Sequence, residues 1–505
     1  MGFTAGNLGA LVPSGVARDK PALIERAEGV RQVVTFAALD ALADAAARGL
    51  LRRGLVRGDR IGLLAANSAH YLALIYGAQR AGLVPVPVNW RFPAATIAYV
   101  LENAGVRFVA HDAARAAAVP GGLPRLALDG PDWDALLDPG PFTVVDPMPG
   151  EPALFLYTSG STGRPKGVVL SHQAHLWIVG QRLAGAALNE ERFLIAAPLY
   201  HMNGLALAQL ACAAGATTVL LPQFRERDYI AAIGEERCTW VTGVPPMFAM
   251  LLREQALLAA TDTSSVRSIR LGSAPVSEAL AAAIRAAFPN ARLINAYGTT
   301  EAGPVVFGPH PGGKPTPGLS VGYPHPAVAL RLRAADGTLG DEGVLEQKTP
   351  GLMDGYHARP DIAPPITDDG YYVTGDVMRR DADGFHYVIG RTDDMFISGG
   401  ENIFPGEVEA VLERHPGVEQ AAVVAVPDDI KGMKPVAFVV PRAGAAVDEA
   451  VLKAFSLEHA PAFMHPRRVW LLPALPLAGT NKVDKVALTA MARALLEQGH
   501  ADRRD

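Results

Sequence analysis

Hydrophobic and polar positions in the first third of the chain follow the spacing of helices that alternate with strands. Apolar residues recur every three or four positions between Phe36 and Leu50. Thr35 precedes them as an N-cap and Gly54 follows them, so the pattern predicts a helix that ends at Arg53. The same reasoning then predicts a strand, a helix and two strands, at Arg60–Ala65, Ser68–Ala81, Val84–Val88 and Phe108–His111. This alternation is typical of βαβ units and therefore of a parallel sheet.

The uncharged apolar segment Leu205–Leu221 is the part of the chain that most resembles a membrane span. It contains Gly215 and is followed by Pro222, both of which interrupt a helix. The pattern favours a buried helix, Leu205–Ala213, and then a buried strand, Thr217–Leu221. We therefore expect no integral membrane segment.

Near residue 330 the pattern changes from βαβ alternation to short strands and turns. The predicted strands of this part are Ala329–Arg333, Gly343–Lys348 and Gly384–Ile389. Beyond Gly390–Asp394 a compact α+β pattern follows, with helices and strands at Pro405–Arg414, Ala421–Val426, Val436–Val440, Asp448–His459 and Arg468–Leu472. We predict an α/β chain in two domains. Residues 1–391 form a large N-terminal domain of parallel-rich sheets with a small β-subdomain, and residues 392–505 form a small α+β C-terminal domain.

Composition narrows the class of protein. The chain has 505 residues, with a net charge of −5 and 19% charged residues, so it has no basic excess and nucleic acid is not an expected partner. Its two cysteines, Cys212 and Cys238, lie in apolar contexts, which fits a reducing compartment. Residues Met1–Lys20 lack the pattern of a secretory signal, and we expect a cytoplasmic location. A homodimer and a monomer both remain open.

The segment Tyr157–Gly167, which reads Y-T-S-G-S-T-G-R-P-K-G, carries the strongest chemical signal. Its glycines allow backbone N–H groups to approach an anion, its hydroxyls add donors and Lys166 adds a mobile positive charge. These features favour polyphosphate binding over a flexible surface loop. The segment is not a Walker A loop, because Gly167 follows the lysine where that motif has Ser or Thr.

Two other segments offer groups that a nucleotide needs. Y-G-T-T-E, which ends at Glu301, follows a predicted strand that ends at Asn295, where parallel sheets place their ligands. Tyr297 offers a flat face, Thr300 a hydroxyl donor and Glu301 a hard oxygen for Mg²⁺. Taken alone, the segment could also be an ordinary turn.

The second of these segments, Y-Y-V-T-G-D, ends in a carboxylate that follows a glycine. This carboxylate, Asp376, could accept both hydrogens of a ribose diol or could equally be a turn residue.

Together these motifs resemble those of the acyl-adenylate-forming superfamily, which holds acyl-CoA synthetases, peptide-synthetase adenylation domains and luciferases. The likeness extends over nearly the whole chain, with the motifs in the family's order. It implies that the first loop binds ATP phosphates, that Tyr297 stacks on adenine, that Thr300 contacts the α-phosphate and that Glu301 holds Mg²⁺. It also implies that Asp376 and Arg391 bind the ribose and that His201 lies beside the carboxylate site. The nucleotide-binding residues that the resemblance implies are Thr158, Ser159, Gly160, Ser161, Thr162, Gly163, Lys166, Gly272, Ser273, Ala274, Tyr297, Gly298 and Thr299.

The C-terminal motifs resemble those of stand-alone CoA ligases, such as the 4-chlorobenzoate and medium-chain enzymes. The resemblance implies that Lys482 is the catalytic lysine, that the domain carrying it is mobile and that it turns about Asp393. It also implies that Gly399 and Gly400 admit the pantetheine arm of CoA. The family usually has glycine before the lysine. This chain has Asn481, which also tolerates a positive φ.

The resemblance therefore implies an ATP-dependent acyl-CoA synthetase that uses Mg²⁺, a carboxylic acid and CoA. The alternatives are adenylation for a free phosphopantetheinyl carrier protein, a non-catalytic nucleotide-binding homologue and an oxidative, light-emitting activity. The expected tail pocket contains no charged side chain, so we expect a neutral aliphatic or aryl tail. The residues expected to line that pocket are His201, Met202, Asn203, Val244, Met247, Phe248, Gly272 and Gly303.

Overall fold

We describe the protein from a computed structural model. The structure describes residues 6–27, 29–158, 164–184, 186–274, 276–398, 400–428, 430–479 and 481–501. Within these ranges the chain forms an α/β fold with several sheets. Among the helices in these ranges, none combines the length and the apolar character needed to cross a membrane.

The helices of the described chain follow in order. They are α1 (Phe36–Arg52), α2 (Ala69–Arg80), α3 (Ala94–Asn103), α4 (Pro131–Leu136), α5 (His172–Leu183), α6 (Met202–Ala213), α7 (Glu226–Glu235), α8 (Pro245–Arg253), α9 (Gln255–Ala260), α10 (Glu278–Ala287), α11 (Pro405–Glu413), α12 (Glu449–His459) and α13 (Lys485–Ala501), with a 3₁₀ helix at Ala113–Ala118.

The first part of the chain contains thirteen strands in the described residues. They are β1 (Pro21–Ala27), β2 (Val30–Thr35), β3 (Arg60–Leu64), β4 (Val84–Pro87), β5 (Val106–His111), β6 (Arg125–Ala127), β7 (Pro152–Thr158), β8 (Lys166–Ser171), β9 (Arg192–Ile195), β10 (Thr217–Leu220), β11 (Trp240–Gly243), β12 (Ser268–Gly272) and β13 (Arg292–Ala296).

The strands of the second part of the chain follow in order. They are β14 (Phe307–Gly308), β15 (Tyr323–Pro324), β16 (Ala329–Arg333), β17 (Leu339–Gly340), β18 (Glu342–Lys348), β19 (Gly355–Tyr356), β20 (Tyr372–Arg380), β21 (His386–Arg391), β22 (Phe396–Ser398), β23 (Glu401–Ile403), β24 (Val418–Asp428), β25 (Gly432–Pro441) and β26 (Val469–Leu471).

Two parallel-rich sheets dominate the larger part of the molecule. One has seven strands in the order β13-β12-β11-β9-β10-β1-β2, parallel except for the β1–β2 pair. The other has four parallel strands in the order β4-β3-β5-β6. The predicted βαβ alternation is therefore confirmed. Helix α1 begins as predicted, because the Thr35 hydroxyl accepts a hydrogen bond from the amide of Ala38 at 3.1 Å.

Antiparallel sheets follow in the second part of the chain. Strands β17-β16-β18-β20-β21 form a five-stranded antiparallel sheet, which is the small β-subdomain. After β21 ends at Arg391, a separate sheet of β23-β22-β25-β24, with β26 beside β25, carries α11, α12 and α13 as a small α+β unit. The predicted fold class is confirmed.

The seven-stranded sheet has a different hydrophobic cluster on each face. Phe193 and Ile195 of β9 belong to the cluster that includes α6, while Leu194 between them belongs to the cluster that includes α8. Because successive side chains of a strand point to opposite faces, the register of neighbouring strands assigns every residue of β11 and β12 to one of these two layers. This assignment matters for the acid-binding region described below.

Candidate active site

The predicted phosphate loop connects two antiparallel strands. Strand β7 ends at Thr158 and β8 begins at Lys166, and these two residues are register partners. The hydroxyl oxygen of Thr158 is buried and has no hydrogen-bond partner among the described residues. Five predicted loop residues lie outside the described residues: Ser159, Gly160, Ser161, Thr162 and Gly163.

Lys166 faces a tyrosine and a glutamate. Its ammonium group lies 4.5 Å from the ring centre of Tyr356, a distance that allows a cation–π interaction. The Tyr356 hydroxyl is 3.3 Å from Oε1 of Glu301, to which it donates. The structure therefore brings the lysine of the phosphate loop and the glutamate of the Y-G-T-T-E segment to one place. Tyr356 was not identified from the sequence.

The segment before Glu301 forms a tight turn after β13. The Thr299 hydroxyl accepts a hydrogen bond from the Ala302 amide at 3.0 Å, and the Gly303 amide donates to the Thr299 carbonyl at 2.9 Å. Gly298 is packed so closely that a Cβ there would lie 2.7 Å from the Cα of Pro304. Thr300 lies within this turn and is half-buried.

Tyr297, Asp376 and Arg391 form a connected group. The Tyr297 hydroxyl donates to Oδ2 of Asp376, and Nη1 of Arg391 donates to Oδ1 of the same carboxylate at 2.9 Å. The Tyr297 ring meets the Phe307 ring edge-on at 5.8 Å. Burial raises the pKa of the Asp376 carboxyl, while the Tyr297 hydrogen bond and the Arg391 charge oppose that rise. The carboxylate is thus held in a fixed orientation by both of its oxygens.

Arg391 also pairs with the predicted hinge residue. Its Nε donates to Oδ1 of Asp393 at 2.8 Å, and its Nη2 donates to Oδ2 at 3.3 Å. The side chain of Asp393 is about half exposed, at 48%. One guanidinium therefore connects the buried Asp376 with the turn that follows β21.

Lys482 lies on a hairpin that contacts the larger part of the molecule. Asn481, just before it, has φ +59°, a conformation that glycine or asparagine adopts readily. The Asn481 side chain accepts a hydrogen bond from Nη1 of Arg91 at 2.9 Å. Gly479 is packed against Arg91, since a Cβ there would lie 3.1 Å from the Arg91 Cβ. The role of Arg91 was not predicted, because a contact across 390 positions leaves no local pattern.

The charges around Lys482 show which groups surround it. Burial lowers the pKa of its ammonium group and the charge of Arg391 lowers it further, while Asp376 and Asp394 raise it. The ammonium group of Lys482 therefore lies within electrostatic range of the Asp376–Arg391 pair.

His201 lies on the same side of the site. Burial lowers its pKa to about 3, and the charges of Lys482 and Arg91 act in the same direction. Its Nε2 is buried without a hydrogen-bond partner among the described residues. The imidazole is therefore neutral near pH 7 and has a free nitrogen for a ligand, but it is a weak base.

Gly272, Ser273 and Ala274 lie at and just after the carboxyl end of β12. A Cβ on Gly272 would lie 3.2 Å from the carbonyl oxygen of Ala296, so the backbones of β12 and β13 are close there. Ser273 has φ +66°, an uncommon conformation for a residue with a side chain. Ala274 follows in the same bend.

Of the two glycines expected to admit CoA, Gly399 lies outside the described residues. Gly400 has φ +92° and is exposed at the turn between β22 and β23. The structure thus brings the nucleotide and lysine candidates together, whereas Gly400 lies on a solvent-facing turn.

The expected tail-lining residues divide between the two layers of the sheet. Met202 packs against the cluster on the α6 side. Val244, Met247 and Phe248 are buried in the cluster on the other face, where Phe248 meets Phe288 at 6.4 Å. Met247 and Phe248 are therefore core residues, which their apolar character alone could not distinguish from pocket residues.

Comparisons with known proteins identify the family of this chain. The family described as AMP-binding enzyme matches residues 14–357, and the family described as AMP-binding enzyme C-terminal domain matches residues 407–482. A feruloyl-CoA synthase from Amycolatopsis is 34% identical over 90% of this chain and 92% of its own length. A sulfoacetate–CoA ligase from Cupriavidus necator is 33% identical over 95% of this chain and 97% of its own.

The same relationship extends to solved structures. The structure of ATP-bound MatB from Rhodopseudomonas palustris is similar, with a TM-score of 0.86 and 28% identity. The likeness covers 97% of this chain and 99% of that one. With a family match to more than half of its length and two relatives above 30% identity, this chain belongs to the AMP-binding enzyme family of adenylate-forming ligases.

Proposed function

We propose that this protein is an ATP-dependent acid–CoA ligase that forms AMP. It activates a carboxylic acid as an acyl-adenylate with release of pyrophosphate, and then transfers the acyl group to the thiol of CoA. The observation that carries the proposal is the contact of the Lys482 hairpin with the larger part of the molecule, where Arg91 donates to Asn481 at 2.9 Å. This contact brings the Lys482 charge within electrostatic range of the Asp376–Arg391 pair and of His201. The relatives named above supply the class of reaction.

In the first half-reaction, a carboxylate oxygen attacks the α-phosphorus of ATP and pyrophosphate leaves. Negative charge grows on the phosphate oxygens, so preorganised positive groups lower the barrier. We assign Lys482 and Thr300 to the α-phosphate, and Lys166 with the loop that begins at Thr158 to the departing pyrophosphate. The buried hydroxyl of Thr158, which has no hydrogen-bond partner among the described residues, supports this assignment.

Asp376, Arg391 and Tyr297 are assigned to the nucleoside. The Asp376 carboxylate is oriented through both oxygens, which suits an acceptor for a ribose diol. Stacking of Tyr297 on adenine remains a prediction. His201 is assigned to the wall of the carboxylate site, where its neutral imidazole hydrogen-bonds a substrate rather than removing a proton.

Magnesium fits the residues around Glu301. Among the described residues, no group of three or more His, Cys, Asp or Glu side chains is arranged to hold a metal ion. Mg²⁺ does not require such a cage, because it commonly binds one or two carboxylates together with substrate phosphates and water. Glu301, with Lys166 nearby through Tyr356, supplies a carboxylate next to the phosphate loop. When bound, the ion would neutralise phosphate charge.

For the second half-reaction we propose that residues 392–505 move as a unit about Asp393. The movement withdraws Lys482 and brings Gly399 and Gly400 to the site, where they admit the pantetheine arm. The solvent-facing position of Gly400 in the present arrangement is consistent with a second arrangement for thiol transfer.

The function is tested by two linked measurements. Purified protein with ATP, Mg²⁺ and a panel of carboxylic acids should release pyrophosphate, and addition of CoA should yield the acyl-CoA. A phosphopantetheinyl carrier protein, offered in place of CoA, tests the alternative acceptor. If the carrier is acylated faster than CoA, the protein is a carrier-loading enzyme and not a CoA ligase. If no acid gives pyrophosphate, both functions are rejected.

Asp376→Ala should weaken ATP binding because the ribose diol would lose a charged acceptor. The expected loss is about 1.5–3 kcal/mol of binding free energy, the scale of hydrogen bonds to charged groups. Titration calorimetry with ATP measures it. Asp383→Ala is the matched control, since Asp383 forms an exposed ion pair with Lys314 and should leave binding unchanged. An unaltered dissociation constant for Asp376→Ala would remove this residue from the site.

Activity should fall at alkaline pH as Lys482 loses its proton. Burial lowers the pKa of this lysine, so the protonated, active form is present below the shifted pKa and is lost as pH rises through it. We measure kcat/KM for pyrophosphate release against pH, without CoA. The apparent pKa of its alkaline limb should lie below the ordinary lysine value of about 10.4. Lys482→Arg should lack this limb, and an identical limb in that variant would assign it to another group.

A further inference from the structure

Two arginines lie in the layer between the seven-stranded sheet and helices α5 and α6. Arg182 is near the end of α5, and its Nη1 is 3.4 Å from the carbonyl oxygen of Ala206 in α6. Arg270 lies on β12, where its register partners are Thr242 and Ile294. Its neighbours in sequence, Ile269 and Leu271, belong to the core cluster on the opposite face, so the side chain of Arg270 points towards the α5–α6 layer.

In the part of the chain that the structure describes, no carboxylate lies within 4.0 Å of either guanidinium group, although most other arginines there form ion pairs. Burial lowers the pKa of Arg270 to about 10. Burial also lowers the pKa of Arg182, and the charge of Arg270 adds to that effect. Two adjacent, desolvated guanidinium groups without a counter-ion are costly for the folded protein.

Both side chains are half-buried, so each keeps part of its surface accessible. Burial nevertheless lowers the pKa of both guanidinium groups. An anion that reached this layer would therefore meet positive charge that is only partly screened by water.

This position is next to the acid-binding part of the site. Ala206 is one turn of α6 beyond Met202, which follows His201. Arg270 is two residues before Gly272, about 7 Å along an extended strand. Helix α5 also packs against the turn that follows Glu301, because a Cβ on Gly303 would lie 2.4 Å from Cδ1 of Ile178. A tail that leaves the reacting carboxylate along this layer meets the arginines.

We propose that the acid activated by this enzyme carries a second anionic group, a carboxylate or a sulfonate, at the end of its tail, and that Arg182 and Arg270 bind it. The proposal rests on the acid–CoA ligase function. Guanidinium groups suit this task because their N–H donors match the oxygens of such anions in pairs. The sequence favoured a neutral tail because its expected pocket omitted both arginines, and no comparison tests that expectation.

The test is the preference between acids of equal length in wild-type and substituted enzyme. Aliphatic and aromatic acids with a terminal carboxylate or sulfonate are each compared with the acid that ends in a neutral group, by kcat/KM for pyrophosphate release. The wild-type enzyme should prefer the acids with two charges. Arg270→Met and Arg182→Met should each lower kcat/KM for those acids by at least about 10²-fold and should not lower it for the neutral partner. The series with the higher kcat/KM, carboxylate or sulfonate, identifies the anion that the arginines bind.

Arg267→Met is the matched control, because Arg267 is an exposed arginine just before β12 that pairs with Glu191 at 2.8 Å. It should leave the preference unchanged. Thermal unfolding without substrate checks folding. Arg270→Met should be at least as stable as the wild type, since it removes a desolvated, unpaired charge. The preferred acid should raise the unfolding temperature of the wild type and not that of Arg270→Met.

Three outcomes would overturn the proposal. The wild type could have a higher kcat/KM for neutral acids, and the arginine variants could change kcat/KM equally for both kinds of acid. That result would assign the arginines a structural role and leave the ligase function intact. A change confined to the KM for ATP would move them to the nucleotide site. Absence of pyrophosphate with every acid would reject the ligase function and this inference with it.

Discussion

Lys482→Ala will slow acyl-adenylate formation by at least about 10²-fold and will affect thiol transfer far less. Loss of one preorganised donor to a developing negative charge has an effect of that size. Lys482 is the positive group that the C-terminal hairpin brings to the Asp376–Arg391 pair, and it is assigned only to the first transition state. Pyrophosphate release measures the first step, and synthetic acyl-adenylate with CoA measures the second.

The matched control is Lys485→Ala. Lys485 is three positions further along the chain and pairs with Glu409 at 2.9 Å within the C-terminal unit. That substitution should leave both half-reactions near wild-type rates. If Lys482→Ala makes acyl-CoA from free acid as fast as the wild type, the assignment of Lys482 is wrong.

Asp393→Pro will separate the two half-reactions. Proline fixes φ and removes a backbone donor, so a residue that must change its torsion angles between two arrangements becomes locked. The present arrangement, with Lys482 beside Asp376, is the one assigned to adenylation. We expect pyrophosphate exchange to persist and acyl-CoA formation to fall by at least about 10²-fold, because the second arrangement is no longer reached.

Two controls separate the backbone of Asp393 from its side chain. Asp393→Ala removes the ion pair with Arg391 and leaves φ free, so it should retain both half-reactions. Asp394→Pro, one residue from the proposed pivot, should damage both steps together through general strain. Equal loss of both half-reactions in Asp393→Pro, with an unchanged circular dichroism spectrum, would place the hinge elsewhere.

Contacts between the C-terminal unit and the larger part of the molecule must break in such a movement. Nε of Arg253 lies 2.7 Å from Oε1 of Glu419, and Arg91 donates to Asn481. The Glu413 carboxyl, near Ser277, is buried enough that its pKa rises to about 7. These three contacts are polar, which suits an interface that opens and closes.

Local sequence determined the elements of this protein and the chemistry of its motifs. The helix from Phe36 begins at its cap, and the apolar segment from Leu205 is a buried helix followed by a strand, because these choices depend on the spacing of neighbouring residues. Asn481 adopts the positive φ for which glycine is otherwise used, and this too is a local property.

Tertiary structure decided which of these residues meet and which face of the sheet each one occupies. The contact of Arg91 with Asn481 depends on how distant segments pack, and no periodicity encodes it. Met247 and Phe248 share the apolar character of pocket residues, yet the packing of helix α8 on one face of the seven-stranded sheet buries them in the core. The register of β11 and β12 turns Arg270 towards the α5–α6 layer that holds Arg182, because neighbouring strand residues point to opposite faces and only the assembled sheet determines which helices cover each face.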